Sequence, residues 1–469
     1  MSSQHVVIGD GLSAAEFATT RRAEANDTIT IIGPDVHNLG RGVAYSKAPE
    51  DAPWRYAYLL NSPSRSVDPE FSNWLPANWD LMVERMSGRL PDWLAAAKPY
   101  VKVGDIAGLN APREIYGDFA HHRTMKKLDE LRSRGVRIQL LQTHVEDIKP
   151  DSSTLSVTTR DGQQLVADSV DIATGGPQNQ RFDGDNEASS FPALFGYEEH
   201  ITNKLQNGGR IICIGASAAM LDCLRLTQSV QHESAIQFTA LSPTGTLLKA
   251  LKPSANFNPT QYELTGTFER AEDFLDAIKL LHQRALDSGD SFYETRVGMR
   301  NLFAKTSLTE FVPDLIEARK VARPLFSHFQ GGTRDSIDDF HRLMMSGNTD
   351  IVAGRVKHIA HKNGVATVHY SDVAGQRATL TANVVVNCAG PGNENRFDKL
   401  TRTMLKREWI STCEQSGGLL VGEGGRTTVD GVRYLGPAVT SIGNKVEAVP
   451  LFDASRLRRA IQLFNASLH

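Results

Sequence analysis

The sequence predicts an α/β protein built of two Rossmann-like dinucleotide-binding lobes, the first interrupted by a long insertion and completed by the C-terminal segment. Three observations predict it. First, His5 to Ala18 (HVVIGDGLSAAEFA) carries a short apolar strand straight into a glycine turn and an alanine-rich helix start. Gly9 can take the tight turn, Gly11 leaves bare backbone for a pyrophosphate, and Ala14, in the third small position, lets helix and strand approach closely. The N–H groups at such a helix start face the phosphate. Second, the plan recurs near residue 210, where Arg210 to Ile214 meets a small-residue turn, GASAAM (215–220), and then Leu221 to Leu224 in helical style. Third, both halves end alike. Val145 to Ile148 leads through LSVTT and QLVAD to VDIATGG (170–176), and Val356 to Ile359 leads through VATVHY and ATLTA to VVVNCAGPG (384–392). A nucleotide turn, a strand meander and a closing strand, repeated in register, are the mark of two related lobes.

The elements then fall in order along the chain. Residues 1–200 form the first lobe, with an aromatic-rich insertion at 38–115. Residues 201–391 form the second nucleotide-binding-like lobe, with a helical insertion at 250–345. Residues 392–469 return to the first lobe. Within 250–345 the apolar residues Phe274, Leu275, Ile278 and Leu281, and again Phe340, Leu343 and Met344, sit at helical spacing, and core packing is the expected role. Pro324 reads as a breaker there. His328 and Arg323 either reach a substrate or serve structure, and the second role is expected of the histidine.

At 469 residues the chain is long enough for two or three domains, and 40% hydrophobic with 22% charged residues is ordinary globular composition. A net charge of −3 gives no global positive field to draw nucleic acid or an anionic membrane surface. Apolar runs are far shorter than a membrane span, and the first strand starts too near Met1 for a signal peptide, so a cytoplasmic protein is expected. The four cysteines, Cys213, Cys223, Cys388 and Cys413, form no CxxC pair and no metal-like cluster. Packed, reduced thiols are expected, and neither a dithiol reductase nor a metal site. The pair His121-His122 lacks an HExxH context, and one core-facing and one solvated ring are expected.

The insertion carries Trp54, Trp74, Trp79 and Trp93, with Tyr45, Tyr56, Tyr58 and Tyr116 interleaved or close by. These rings either line a planar ligand or form the insertion's own small core; core is expected for most of them.

The order GxGxxA, LGRGVAYS (39–46), LLNSP (59–63), PREIYG (112–117), ATGG (173–176), NCAGPG (387–392) and VEAVP (446–450) resembles a bacterial family of FAD/NAD(P)-binding oxidoreductases over most of the chain. In layout the family is similar to two-dinucleotide-domain flavoproteins such as N-hydroxylating monooxygenases. The resemblance implies FAD in the first lobe and a nicotinamide cofactor, where used, in the second. It implies that Arg41, Gly42, Tyr45, Leu60 and Asn61 approach the flavin, that Val145 meets the adenine through its backbone, that Thr174 and Gly175 are cofactor-binding, and that Gly436 and Pro437 close over the ring before the last helix. From the residues alone, Arg41 or Arg65 could equally pair with an acid such as Asp68, Asn61 could cap a turn before Pro63, and PREIYG could be a turn leading into a helix.

Three departures from the pattern matter. The acid expected at the end of the second strand, where it would hold the adenosine ribose, falls on Gly33, and Asp35 lies two residues on. In the second turn, Gly215 is kept but Ser217 and Met220 replace small glycine positions. Ser242-Pro243-Thr244-Gly245 stands where relatives often carry Ser-Arg-x-Gly, which removes a cation for a 2′-phosphate. If the second lobe works as a nicotinamide site, Gly215 and Ser217 line its turn.

The reading is an FAD-dependent oxidoreductase, first of all a monooxygenase acting on a small amine or other small metabolite with molecular oxygen. The alternatives are an FAD-dependent dehydrogenase or oxidase without a nicotinamide donor, and a non-catalytic FAD-binding partner or sensor. No catalytic side chain and no metal ligand is assigned, and no nucleic-acid or membrane partner is expected.

Overall fold

The computed structural model describes residues 2–185, 188–252, 261–392, 396–447 and 454–466. The first lobe is a five-stranded parallel sheet in the spatial order Val432–Tyr434, Ser169–Ile172, Gln4–Ile8, Thr28–Gly33, Arg137–Gln142. Gln4–Ile8 and Thr28–Gly33 read as nearly continuous Val, Ile and Thr runs because both faces of a parallel sheet are covered. One cover is the helix Leu12–Thr20, whose Ala14, Ala15, Phe17 and Ala18 are buried. A three-stranded antiparallel meander, Val145–Asp151, Thr154–Thr159 and Gln164–Ala167, leads into the closing strand.

The second lobe repeats this with one economy. Its seven-stranded sheet runs Arg377–Ala382, Val365–Asp372, Thr349–Lys362, Ile236–Ser242, Gly209–Ile214, Val384–Asn387, Ser190–Phe191. The 14-residue strand Thr349–Lys362 begins parallel to Ile236–Ser242 and ends antiparallel to Val365–Asp372, so one strand serves both sheet and meander. The two-lobed α/β fold expected from the sequence is the fold observed.

The C-terminal segment returns to the first lobe twice, through Val432–Tyr434 at the sheet edge and through the helix Ala454–Ala466 against Leu12–Thr20. Buried charge pins both. Asp171, fully buried, accepts from Arg21 at 2.6 Å and from Arg433 at 2.6 and 2.9 Å. Arg433 also donates to Asn465, which in turn donates to Thr20. A second knot joins Glu16 and Asp68 to Arg123 and Arg458. Burial alone would raise the Asp68 carboxyl, but Arg458 and Arg123 outweigh it and hold it below the usual range.

The insertion has a core of its own around Phe71, Leu75, Trp93, Tyr116 and Phe119, as expected for most of its aromatics. Trp54 and Tyr58 go elsewhere: they pack against the second lobe and line a cavity of about 270 Å³ with Arg113, Glu114, Glu198 and His200. PREIYG is no separate turn, because the 21-residue helix Arg113–Ser133 starts at its second residue. Pro324 likewise lies inside the helix Leu315–His328, not at its end. Phe340 and Leu343 are buried as expected, whereas Met344 is exposed.

His328 turns towards another histidine: its Nε2 lies 2.7 Å from His282 Nδ1, and His282 Nε2 is buried without a partner. Burial, with His328 and Lys249 nearby, pushes His282 down to about 4, and burial with Arg21 does the same to His5. An unfolded chain binds protons at both rings from about pH 6.5 downwards, while the folded chain refuses them until about pH 4. Stability is therefore full above pH 6.5 and falls as the pH drops through that window. Urea midpoints are expected to decrease from pH 7 to pH 5, and His282→Phe is expected to flatten that slope.

Candidate functional site

The first turn is closed by backbone lying on backbone. Gly9 has φ +123°, and a Cβ there would sit 2.4 Å from the Ala173 carbonyl oxygen, so only glycine fits between the first and closing strands. Gly11 precedes the helix Leu12–Thr20 and supplies no side-chain cap, which leaves the first helical amides uncapped. A Cβ on Gly11 would meet the Gly42 Cα at 3.6 Å, so two glycines from distant segments present bare backbone at one helix N-terminus. Ala14 is fully buried beneath Gly9. These features fit a pyrophosphate, which needs donors and close approach and tolerates no side chain in its path.

At the end of Thr28–Gly33 the expected acid is missing and another fills its space. A Cβ on Gly33 would fall 2.8 Å from Asp10 Oδ2, so the Asp10 carboxylate occupies the volume where a side chain from position 33 would begin. Asp10 Oδ2 accepts from the Asp35 amide at 2.6 Å, and burial raises the carboxyl above its usual range. The exposed Asp35 carboxylate accepts from Asn38 Nδ2 at 2.9 and 3.1 Å. Two acids thus stand together at the end of the strand Thr28–Gly33. Asp10→Asn is expected to weaken FAD by about 1–3 kcal/mol and Asp35→Ala by a similar amount if both hydrogen-bond it; equilibrium titration of the apoprotein with FAD ranks them.

Among the residues that the resemblance assigns to the ring, Arg41 is buried, pairs with Asp118 and has an Nε without a partner. Tyr45 stands edge-on to Tyr116 with centroids 4.7 Å apart. The Leu60 carbonyl accepts from Asn110 Nδ2 at 2.8 Å and from Thr333 Oγ1 at 3.1 Å, tying the loop to both lobes. Asn61 caps no turn, since its Oδ1 accepts from Arg113 at 3.0 Å. Arg113 also donates to the Leu59 carbonyl and pairs at 2.8 Å with Asp222 of the second lobe, whose carboxyl burial pushes up to about 6 against the pull of that arginine. Arg65 pairs with Asp105, and Asp68 takes neither Arg41 nor Arg65.

The closing segments meet as the fold requires. Thr174 Oγ1 donates to Asp398 at 2.9 Å, and Gly175 has φ +95° with open space where a Cβ would be. A Cβ on Gly436 would lie 3.6 Å from the Gly175 carbonyl oxygen, and one on Gly176 would lie 3.6 Å from Pro437 Cβ, so the two loops face each other. Val145 begins the meander opposite Thr159. Ala448–Pro450, the end of VEAVP, lie outside the described residues.

In the second lobe Gly215 has φ +113°, and a Cβ there would sit 2.5 Å from the Cys388 carbonyl oxygen. This is the closure of Gly9 on Ala173 over again. Ser217 precedes the helix Ala218–Val230 and donates to that carbonyl at 3.3 Å, while Met220 is fully buried in the lobe's core. Met220 therefore packs under the turn and not into a phosphate path. After Ile236–Ser242, the Gly245 amide donates to Ser242 Oγ at 3.1 Å, so the loop carries hydroxyls where an arginine was missed. All four cysteines are free and buried, and no group of three metal-ligating side chains occurs among the described residues.

The sequence reading missed Asp10 and, separately, the pair of Arg113 with Asp222. Asp10 was the variable residue of a glycine pattern and carried no signal, whereas Arg113 and Asp222 stood in segments already singled out.

Residues 6–177 match the family model described as FAD-NAD(P)-binding. No curated protein matches the chain. Among solved structures, the chain is similar to an ornithine hydroxylase (PvdA) from Pseudomonas aeruginosa, with TM-score 0.57, 14% identity and coverage of 100% of this chain and 99% of that one. It is similar to the FAD-bound cadaverine monooxygenase DfoA from Erwinia amylovora, with TM-score 0.57, 11% identity and coverage of 100% and 95%. A bacillithiol disulfide reductase from Staphylococcus aureus follows the same path at TM-score 0.52 and 13% identity, covering 100% of this chain and 99% of that one. The chain thus has the α/β fold of two-dinucleotide-domain flavoproteins, and its residues 6–177 match the FAD-NAD(P)-binding family.

Proposed function

We propose that the protein is an FAD-dependent oxidoreductase, and within that class a monooxygenase acting on a small amine or other small metabolite. The observation that carries the reading is the doubled turn: Gly9 against Ala173 and Gly215 against Cys388 are two turns of one design in one chain. FAD, when bound, supplies electron transfer and oxygen activation. The residues of the chain supply the rest. Gly9, Gly11, Ala14 and Gly42 keep the pyrophosphate path bare, and Asp10 and Asp35 hold the ribose. The Val145 backbone meets the adenine; Arg41, Tyr45, Leu60, Asn61, Thr174, Gly175, Gly436 and Pro437 orient the ring and exclude water. Gly215 and Ser217 line the nicotinamide turn. Burial of all four thiols supports a monooxygenase over a dithiol reductase.

The alternative is a dehydrogenase or oxidase without a nicotinamide donor; the hydroxyl-only loop at Ser242–Gly245 offers no cation to a 2′-phosphate and so weighs against NADPH preference, not against NADH. Anaerobic mixing with NADH and NADPH separates the two. The proposal expects either nucleotide to bleach the flavin, with little preference for NADPH, and expects oxygen uptake on re-aeration. Bleaching by substrate alone would move the assignment to dehydrogenase or oxidase. Bleaching by neither would leave a non-catalytic FAD-binding protein.

A further inference from the structure

Among the described residues six arginines are buried, Arg21, Arg41, Arg113, Arg123, Arg433 and Arg458, and each has a carboxylate partner within salt-bridge distance. That is what a buried guanidinium demands, since an unpaired charge removed from water is costly. Arg296 departs from the pattern. It stands on the helix Phe292–Lys305, partly buried, with Nε donating to the Phe329 carbonyl at 2.9 Å and NH1 lying 3.5 Å from Ser62 Oγ. Among the described residues it forms no salt bridge, and its remaining donors have no acceptor. Burial holds its pKa below the ordinary arginine value, and only Tyr293 pulls the other way.

Its surroundings add positive charge. Tyr293, almost fully buried, is bonded to Ser66 and lies in the field of three guanidinium groups, Arg296, Arg300 and Arg65. Of these, Arg65 pairs with Asp105 and Arg300 has a partner of its own, which leaves Arg296 as the guanidinium without a counter-charge. Arg296 thus reaches Ser62, and Tyr293 reaches Ser66, in the loop that follows Leu60 and Asn61, and Thr333 donates to the Leu60 carbonyl. A merely structural bracket between Phe329 and Ser62 would need a donor but no charge, and a serine or amide would serve without the desolvation cost.

We propose that Arg296 is an anion site over the 59–63 loop that receives a carboxylate or phosphate group of the substrate. The planar guanidinium fork suits either oxyanion, and two parallel N–H···O bonds would fix the substrate's orientation as well as its affinity. This rests on the reading that the 59–63 loop borders the redox site. It narrows the substrate class: an amine acted on here also carries an acidic group.

The test uses the full-length protein and isothermal titration calorimetry at fixed ionic strength, with acetate, inorganic phosphate and butylamine as probes. One of the two anions is expected to bind saturably and butylamine not to compete with it; which anion binds tells carboxylate from phosphate. Arg296→Gln is expected to weaken that binding by about tenfold or more, the worth of a charge-assisted pair, with melting temperature and FAD content retained. Should Arg296→Gln fold poorly, Arg296→Lys keeps the charge without the fork and is expected to bind several-fold more weakly than wild type. No saturable binding of either anion, or equal binding by a folded variant, would overturn the proposal. Because binding needs no turnover, an anion site in a protein that takes no FAD would remove the oxidoreductase reading alone, and a flavin-loaded protein without the site would remove this inference alone.

Discussion

Asp171→Ala is expected to lower stability by about 3–5 kcal/mol, enough to leave much of the chain unfolded at 37 °C. The carboxylate is fully buried and satisfies Arg21 and Arg433 together. Its removal strands two guanidinium groups in the core and severs the strand Val432–Tyr434 and, through Asn465, the last helix from the first. Asp171→Asn keeps the shape and one acceptor but not the charge, and is expected to fall between. The exposed pair Arg132 with Asp129 provides the contrast, because Asp129→Ala is expected to change stability by less than about 0.5 kcal/mol. Urea titrations of the three variants, read at their midpoints, check the order. A midpoint for Asp171→Ala equal to wild type would mean that the C-terminal segment is not held by this knot.

Gly11→Asp is expected to fold and to lose FAD. A side chain at position 11 meets only ordinary contact with Gly42, at 3.6 Å from its Cα, so the fold tolerates it. The same carboxylate stands at the uncapped helix N-terminus, where it competes with the pyrophosphate for the amides and repels it. Gly11→Ala adds bulk without charge and is expected to weaken FAD far less. Gly9→Ala fails differently: its Cβ would collide with the Ala173 carbonyl at a φ of +123°, and it is expected to lose stability before cofactor specificity enters. Circular dichroism melts beside flavin content distinguish a lost fold from a lost ligand.

The doubled turn, the meanders and the two closing strands were legible because each is a local pattern: apolar runs, glycine at a positive φ, and alternation with period two. Gly9 and Gly215 announce themselves in this way, and so does the insertion's aromatic core. What was hidden is tertiary. Asp10 reaches the space above Gly33 only because two parallel strands end side by side. Arg113 lies at the start of a helix where a turn was one of the readings, and it bridges Asn61 to Asp222 across 52 and 109 residues of sequence that no local pattern connects. Arg41 does pair with an acid, one of the two readings its sequence left open, but not with Asp68, and the reason is the same. Surface pairing was the natural guess from composition, whereas packing put Asp118 beside the first and Arg123 and Arg458 beside the second. Arg296 carried no signal at all, because a charge without a counter-charge is visible only when the neighbours are known.

The account stands on the first lobe holding FAD, and the most direct measurement is the absorbance spectrum of the purified full-length chain followed by release on heat denaturation. The account predicts a yellow protein that yields noncovalently bound FAD at one equivalent per chain, or a colourless one that takes up added FAD to that stoichiometry. A folded protein that is colourless and fails to bind added FAD would contradict it.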